Sequence, residues 1–378
     1  MNPVQKFLLF FTLSFCAIST GQSVKLSENA EVSVLTCGLG NEMYSLFGHT
    51  AIRISDPAQH LDVVYNYGAF DFNTPNFVAK FSKGDLQYFV TSDSFEDFMY
   101  AYNYEQRSVW EQQLVMTPSQ KQQLLDELNA TMASEKRFYT YKFIDRNCTT
   151  MVADLINRIL GNEVLTKIKN TDLTYREVLY PYFDNHFYEQ LGTSIIFGTK
   201  VDQKAEKIFL PIELLQSIEV AQIDGSPLMK QSKTWMEYEV PKPSGRWWNN
   251  PITYFVLVML VVVSKSRTVT VIYWLILGAI GLFFSVAGLY SYHGELGSNY
   301  NALLFNPLLL LMAYFMLRKN KRAIYYTSIV LIACIAIYII WMLNKIHLII
   351  VLPVLVAQLV LLGRSIIDSK PTVQLRPA

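Results

Sequence analysis

Between Pro251 and Ile367 nearly every residue is apolar, and the polar residues that interrupt the run gather into short clusters. With no water available to such a stretch, every backbone N–H and C=O must find an internal partner, and helices are the form that supplies one. The run divides into five apolar segments, 252–263, 269–290, 302–317, 323–343 and 346–362. About 20 apolar residues cross a hydrocarbon core of about 30 Å. The first and third segments are short, so flanking residues or tilted neighbours must complete them. Trp247-Trp248 stands just before the first segment, an aromatic pair suited to the membrane interface. Lys265-Ser266-Arg267 and Arg318-Lys319-Asn320-Lys321-Arg322 fall on one side of the bundle, joined by Arg364 and Lys370. Positive loops stay in the cytoplasm, so everything before the first span and the 291–301 loop are expected on the outer face. Residues 246–378 are therefore expected to form an all-α bundle of about five transmembrane helices with a cytoplasmic C-terminus.

The N-terminus carries Lys6, then a short apolar core from Phe7 to Cys16, then mostly small residues to Gly21. That order is a secretory signal peptide over 1–21, too short to span a bilayer. Cys16 invites a lipoprotein reading, but Phe15 stands where a lipobox needs a small residue. Residues 22–245 have ordinary globular composition and are expected to be an extracytoplasmic domain. The formal net charge is +1 and no basic stripe stands out, so nucleic acid is excluded as a partner.

Within this domain, 31–36 alternates as a strand broken by Gly38-Leu39-Gly40, and 41–47 is read as a turn or two of helix. Ala51 to Ile54 gives the next strand, and 63–72 a third, rich in aromatic residues. Thr117-Pro118-Ser119-Gln120 has the capping box and first-position proline of a helix start, and Asp93-Ser94 starts another helix. A short strand over 139–143 leads to a helix whose apolar stripe is Met151, Val152, Leu155, Ile156, Ile159 and Leu160. The stretch 224–244 reads as a tether rich in turns. The fold class is α+β with a mainly antiparallel sheet, followed by the membrane bundle.

The thiol Cys148 lies at the polar start of that last helix, outside its apolar stripe. A helix N-terminus and a nearby imidazole both favour the thiolate, which is the nucleophilic form. Asp145 or Asn147 is placed to cap the helix, leaving the Cys148 and Thr149 amides for a developing oxyanion. His49, at the start of the second strand, is the natural base, and Asn66 or Tyr67 on the third strand would orient it. Those two project to opposite faces, so only one can do so. The competing reading pairs Cys37 with Cys148 in a structural disulfide, which would make the protein a non-enzymatic membrane assembly component. No paired His, Asp and Glu spacing suits a metal, and no cofactor motif is present. His293 and Glu295, in the polar 291–301 loop, are candidate headgroup or substrate contacts, although a solvated connector needs no special cause.

The segments Leu46-Phe47-Gly48-His49-Thr50-Ala51-Ile52-Arg53-Ile54, Tyr65-Asn66-Tyr67-Gly68-Ala69-Phe70-Asp71-Phe72 and Asp145-Arg146-Asn147-Cys148-Thr149-Thr150 stand in this order ahead of several spans. Together they resemble the Lnb-type lipoprotein N-acyltransferases. They are also similar to the permuted NlpC-like papain superfamily, in which lecithin retinol acyltransferase has a comparable order of His, polar residue and Asn-Cys. The resemblance implies a permuted papain-like domain in a bacterial inner membrane protein, with its catalytic domain on the periplasmic face. It further implies that Cys148 takes an acyl chain from a phospholipid as a thioester and passes it to the α-amine of a diacylated lipoprotein. On that reading Cys148, His49 and Asn66 or Tyr67 are catalytic, and Arg53, Asn147, His293 and Glu295 contact substrate, Arg53 as a phosphate holder. The alternative within the superfamily is a membrane-anchored cysteine peptidase or amidase acting on cell-wall peptide.

Overall fold

The structure is a computed structural model that describes residues 24–240 and 247–371. The expected leader over 1–21 and the expected domain boundary at 245 lie outside the described residues.

In chain order the first unit contains β1 (Glu31–Cys37), β2 (His49–Asp56), β3 (Leu61–Ala69), α1 (Phe77–Lys83), β4 (Gln87–Ser94), α2 (Phe95–Tyr104) and β5 (Val109–Leu114). There follow α3 (Pro118–Met132), β6 (Phe138–Thr140), α4 (Cys148–Leu160), α5 (Tyr175–Leu179), α6 (Phe187–Ile196) and α7 (Pro211–Val220). A small hairpin, β7 (Gln222–Ile223) and β8 (Ser226–Pro227), leads into β9 (Met229–Met236). The large sheet has seven strands in the order β6-β4-β3-β2-β1-β5-β9, every pair antiparallel. An α+β unit with an antiparallel sheet is thus present, ahead of a helical C-terminal region.

The sheet is buried on both faces at its centre, so β1 is buried at every position after Glu31. On one face Val32, Val34, Ile52, Ile54 and Tyr65 pack against Leu124, Leu125 and Leu128 of α3 and Val152, Leu155, Ile156 and Ile159 of α4. On the other, Leu35, Cys37, Ala51 and Val64 pack against Phe95 and Phe98 of α2. Each fully buried aliphatic side chain contributes about 1.5–3 kcal/mol, so the α4 stripe anchors that helix firmly against β2 and β3. The segment 224–244, read as a tether, instead supplies β9, which pairs with β5 at the sheet edge. The residues at 41–47 form turns rather than helix.

The second unit contains α8 (Pro251–Val263), α9 (Arg267–Tyr290), α10 (Leu308–Leu317), α11 (Lys321–Met342) and α12 (Leu348–Ser369). Three of these, α9, α11 and α12, are long and apolar enough to cross a membrane by themselves. The helical turns of 294–303 and α10 form a fourth path bent by 41°, and α8 is a shorter apolar helix. Of the five apolar segments expected, three are thus helices of spanning length, one is a bent pair and one is a short helix.

The two units are docked. Helix α6 lays Phe187, Tyr188, Leu191, Ile195 and Ile196 against the core of the bundle. The Tyr188 amide donates to Asn249 Oδ1 at 2.7 Å, just before α8 begins. A polar knot joins the units close by. Arg176 Nε donates to Asp202 Oδ1 at 2.7 Å, while Lys345, between α11 and α12, reaches Asp202 Oδ2 at 2.9 Å. The Tyr300 hydroxyl donates to that same oxygen at 2.7 Å and lies 3.1 Å from His347 Nε2. The loops after α9 and after α11 thus face the sheet domain. The basic clusters at 265–267 and 318–322 sit at the other end of the spans, as alternating helix directions require.

Candidate active site

His49 opens β2 where Cys37 of β1 lies directly across from it. Gly48 delivers it there with φ +80, a left-handed conformation costly for other residues, and a Cβ at Gly48 would stand 2.6 Å from the Cys37 carbonyl oxygen. On β3, Asn66 is paired with Ala51. Its Oδ1 lies 3.1 Å from His49 Nε2, and its Nδ2 donates to Asp93 Oδ2 at 3.0 Å. A carboxylate only accepts, so Asp93 fixes the Asn66 amide with its oxygen towards the imidazole. In the neutral ring Nε2 therefore carries the proton and Nδ1 holds the lone pair, the tautomer a base beside a thiol requires.

Cys148 is the first residue of α4. Of the two possible caps, Asn147 serves: its Oδ1 accepts from the Thr149 and Thr150 amides, each at 2.9 Å. The Asn147 side chain is buried, with Nδ2 donating to the carbonyls of Phe143 at 2.7 Å and Phe209 at 2.8 Å. Asn147 is thus engaged in building the loop. The Thr149 amide, expected to face an oxyanion, is likewise taken by the cap, which leaves Cys148 N–H as the first-turn donor the cap does not engage. Thr50 and Thr149 tie β2 to α4 through a buried contact of 3.1 Å between their hydroxyls. Gly68, at φ +100, brings β3 in so closely that a Cβ there would lie 4.0 Å from Cys148 Cβ.

Burial of the Cys148 thiol opposes its ionisation. The adjacent His49 imidazole, the Thr50 amide and the Thr149 hydroxyl outweigh that penalty and draw its pKa below the ordinary thiol value. Cys37 shows the contrast: burial pushes it up to about 12. Both are free thiols, so the disulfide of the non-enzymatic alternative is absent. Tyr67, the other candidate behind His49, points into the core, where its ring lies 6.5 Å from that of Tyr139 and burial raises its hydroxyl to about 12.

A family model described as the Lnb N-terminal periplasmic domain matches residues 22–180, and one described as the Lnb transmembrane domain matches 246–371. The chain belongs to the Lnb family. No curated protein and no solved structure matches it. It is a membrane protein with a periplasmic N-terminal domain, and in this Lnb chain the three motif segments quoted from the sequence converge at one end of the sheet, where His49, Asn66 and Cys148 meet.

Three further residues expected to touch substrate are engaged elsewhere. Arg53 donates to Asp62 at 2.7 and 2.8 Å and to both oxygens of Glu111 at 3.1 Å, with its guanidinium 3.4 Å from the Phe95 ring centroid. Its donors are thus engaged by two carboxylates. His293 donates from Nε2 to the Phe81 carbonyl at 2.9 Å. Glu295 is fully buried, and its Oε1 accepts from the Ile144 amide at 3.2 Å. The 291–301 loop of this Lnb chain is therefore a clamp on the sheet domain rather than a solvated connector. Asp145, freed from capping, pairs with Lys200 and with Lys207, the latter at 2.8 Å. Asp93 was missed as a site residue because it reads as a helix start, whereas it is part of β4 and lies across from Val64.

Among the described residues no group of His, Cys, Asp and Glu is arranged to hold a metal ion.

Proposed function

We propose that this protein is a lipoprotein N-acyltransferase of the bacterial inner membrane. It would move an acyl chain from a phospholipid, through a Cys148 thioester, to the α-amine of an N-terminal diacylglyceryl-cysteine. The observation that carries the reading is the junction of Cys148, at the start of α4, with the His49–Asn66–Asp93 relay, on a domain clamped to membrane helices. His before Cys in chain order, on strand and helix start respectively, is what a permuted papain-like site requires.

In the first half-reaction His49 Nδ1 takes the thiol proton and Cys148 sulfur attacks the ester carbonyl of the phospholipid. The oxyanion forms at the positive end of α4, beside the Cys148 amide. Collapse breaks the C–O ester bond, and the imidazolium returns its proton to the departing lysophospholipid alkoxide. In the second half-reaction the lipoprotein amine attacks the thioester, His49 accepts its proton, the C–S bond breaks, and Cys148 leaves as thiolate to be reprotonated. Asn66 holds the ring in register throughout. Water must be kept from the thioester, and seating the domain against lipid favours that.

The test is acceptor choice. Full-length protein carrying labelled acyl on Cys148 is offered a diacylated lipopeptide or buffer alone. The proposal expects rapid label transfer to the peptide amine and slow release to buffer. Equal release to water supports the peptidase or amidase reading instead, and transfer that persists in Cys148→Ser rejects the thioester mechanism.

A further inference from the structure

The seven-residue helix α1 fully buries none of its residues. So short a helix is not stable by itself in water, and its order has to come from its surroundings. On one side those surroundings are the membrane bundle. Tyr292 N donates to the Lys83 carbonyl at 2.7 Å, and Ser291 Oγ lies 3.1 Å from the carbonyls of both Ser82 and Lys83. Ser291 directly follows the last residue of α9, so α1 is pinned at the level where that span ends. At this level Phe72, Val78 and Phe81 are 65%, 75% and 49% exposed. Large apolar side chains clustered beside a membrane span are matched to lipid rather than to water. Lys80 in the last turn of α1 brings positive charge to the same level, where lipid phosphates lie, while Lys83 is paired with Asp85 at 2.6 Å.

The apolar surface continues inward. Phe81 stacks on Phe77 at 6.2 Å between centroids, and Phe77 lies 5.3 Å from Phe72 and 6.0 Å from Phe70. Phe70 in turn lies 5.2 Å from Tyr88. It follows closely on Gly68, the residue whose backbone approaches Cys148. A strip of rings therefore runs from the end of a membrane span to Phe70, two residues beyond the Gly68 backbone that approaches Cys148.

We propose that this strip is an acyl-chain binding surface, which draws one tail of an outer-leaflet phospholipid out of the interface and lays it towards Cys148. The inference rests on the acyl-transfer reading and adds to it the route by which the donor arrives. Ring faces and a valine offer a methylene chain contact area without donors or acceptors to leave unpaired, and Lys80 suits the anionic headgroup that stays behind.

The test uses full-length protein in nanodiscs containing a phospholipid with a diazirine in its acyl chain. In Cys148→Ala protein, photolysis is expected to label peptides within 70–83; label confined to the bundle helices overturns the proposal. Replacing both Phe72 and Phe81 by Asp is expected to slow thioester formation from membrane phospholipid by roughly tenfold or more. An unchanged rate overturns the proposal as well. The two readings fail separately. Label on 70–83 with no thioester in the wild-type chain sinks the transfer mechanism and leaves the lipid surface. Thioester formed at equal rates in wild type and double variant, with no label on 70–83, sinks the lipid surface and leaves the mechanism.

Discussion

The carboxylate of Glu295, carried on the loop that follows a membrane span, accepts a hydrogen bond at 3.2 Å from the amide of Ile144, on the loop that leads into Cys148. The same loop receives the Gly198 amide on the Glu295 carbonyl at 2.7 Å, and Lys200 Nζ stands 3.5 Å from Glu295 Oε1. The membrane half is therefore built into the position of the thiol rather than serving as an anchor alone.

Glu295→Ala leaves the buried Ile144 amide without its acceptor and Lys200 with one fewer counter-charge. A hydrogen bond to a charged group contributes about 1.5–3 kcal/mol, so a lower thermal midpoint in detergent is expected, with slower thioester formation at Cys148. Unchanged values of both would mean that the clamp contributes nothing.

His49→Ala changes the titration of Cys148 in a defined direction. Burial of the thiol remains while the imidazole that opposed it is removed, so the pKa rises. Iodoacetamide alkylation followed against pH should show a wild-type midpoint below the ordinary thiol value of about 8.5. In the variant it should move up, because the burial penalty stays while the imidazole is gone. A midpoint that stays in place would show that His49 does not act on the thiol.

Asp93→Ala tests the relay one step further out. Asp93 touches neither reacting atom and acts only by fixing the Asn66 amide, a hydrogen bond worth about 1 kcal/mol, so a slowing of roughly fivefold is expected. Asn66→Ala removes the contact to the ring itself and should cost more. Single-turnover acylation rates order the two, and a larger effect for Asp93→Ala would argue against the relay.

Arg176→Met tests the polar knot between the units. Breaking a buried ion pair by removing one partner costs about 3–5 kcal/mol, which limited proteolysis and thermal unfolding should register as looser docking of the sheet domain. Burial opposes ionisation of Asp202, but Arg176, the Tyr300 hydroxyl and Lys345 outweigh it and hold the carboxyl below its ordinary value. With the folded value depressed, this contribution is fully present above the unfolded value of about 3.9 and is lost as pH falls through the lower folded one. In the variant the folded value rises towards the unfolded one, so this contribution should shrink and the stability lost on acidification should be smaller than in the wild type.

What the sequence disclosed was local. Thr117, Asn147 and Ser94 cap their helices through side chains that reach amides two or three residues away, and such contacts are written in neighbouring letters. The choice between Asn66 and Tyr67 was not, because it depends on which face of β3 meets β2; the pairing of Ala51 with Asn66 decides it. Strand β9 was hidden because, at the sheet edge, most of its residues stay exposed and carry no apolar alternation. The 291–301 loop read as solvated for a similar reason. A polar loop in water and a polar loop buried against another domain have the same composition, and partners such as Ile144, Phe81 and Lys83 distinguish them.

The most direct measurement is the intact mass of the full-length protein after incubation with a phospholipid of single acyl composition. The expected result is a mass gain of one acyl chain, mapped to Cys148, sensitive to hydroxylamine, and discharged when a diacylated lipopeptide is added as the triacylated peptide appears. Triacylated peptide formed with no adduct at Cys148, or formed by Cys148→Ala protein, would contradict the mechanism.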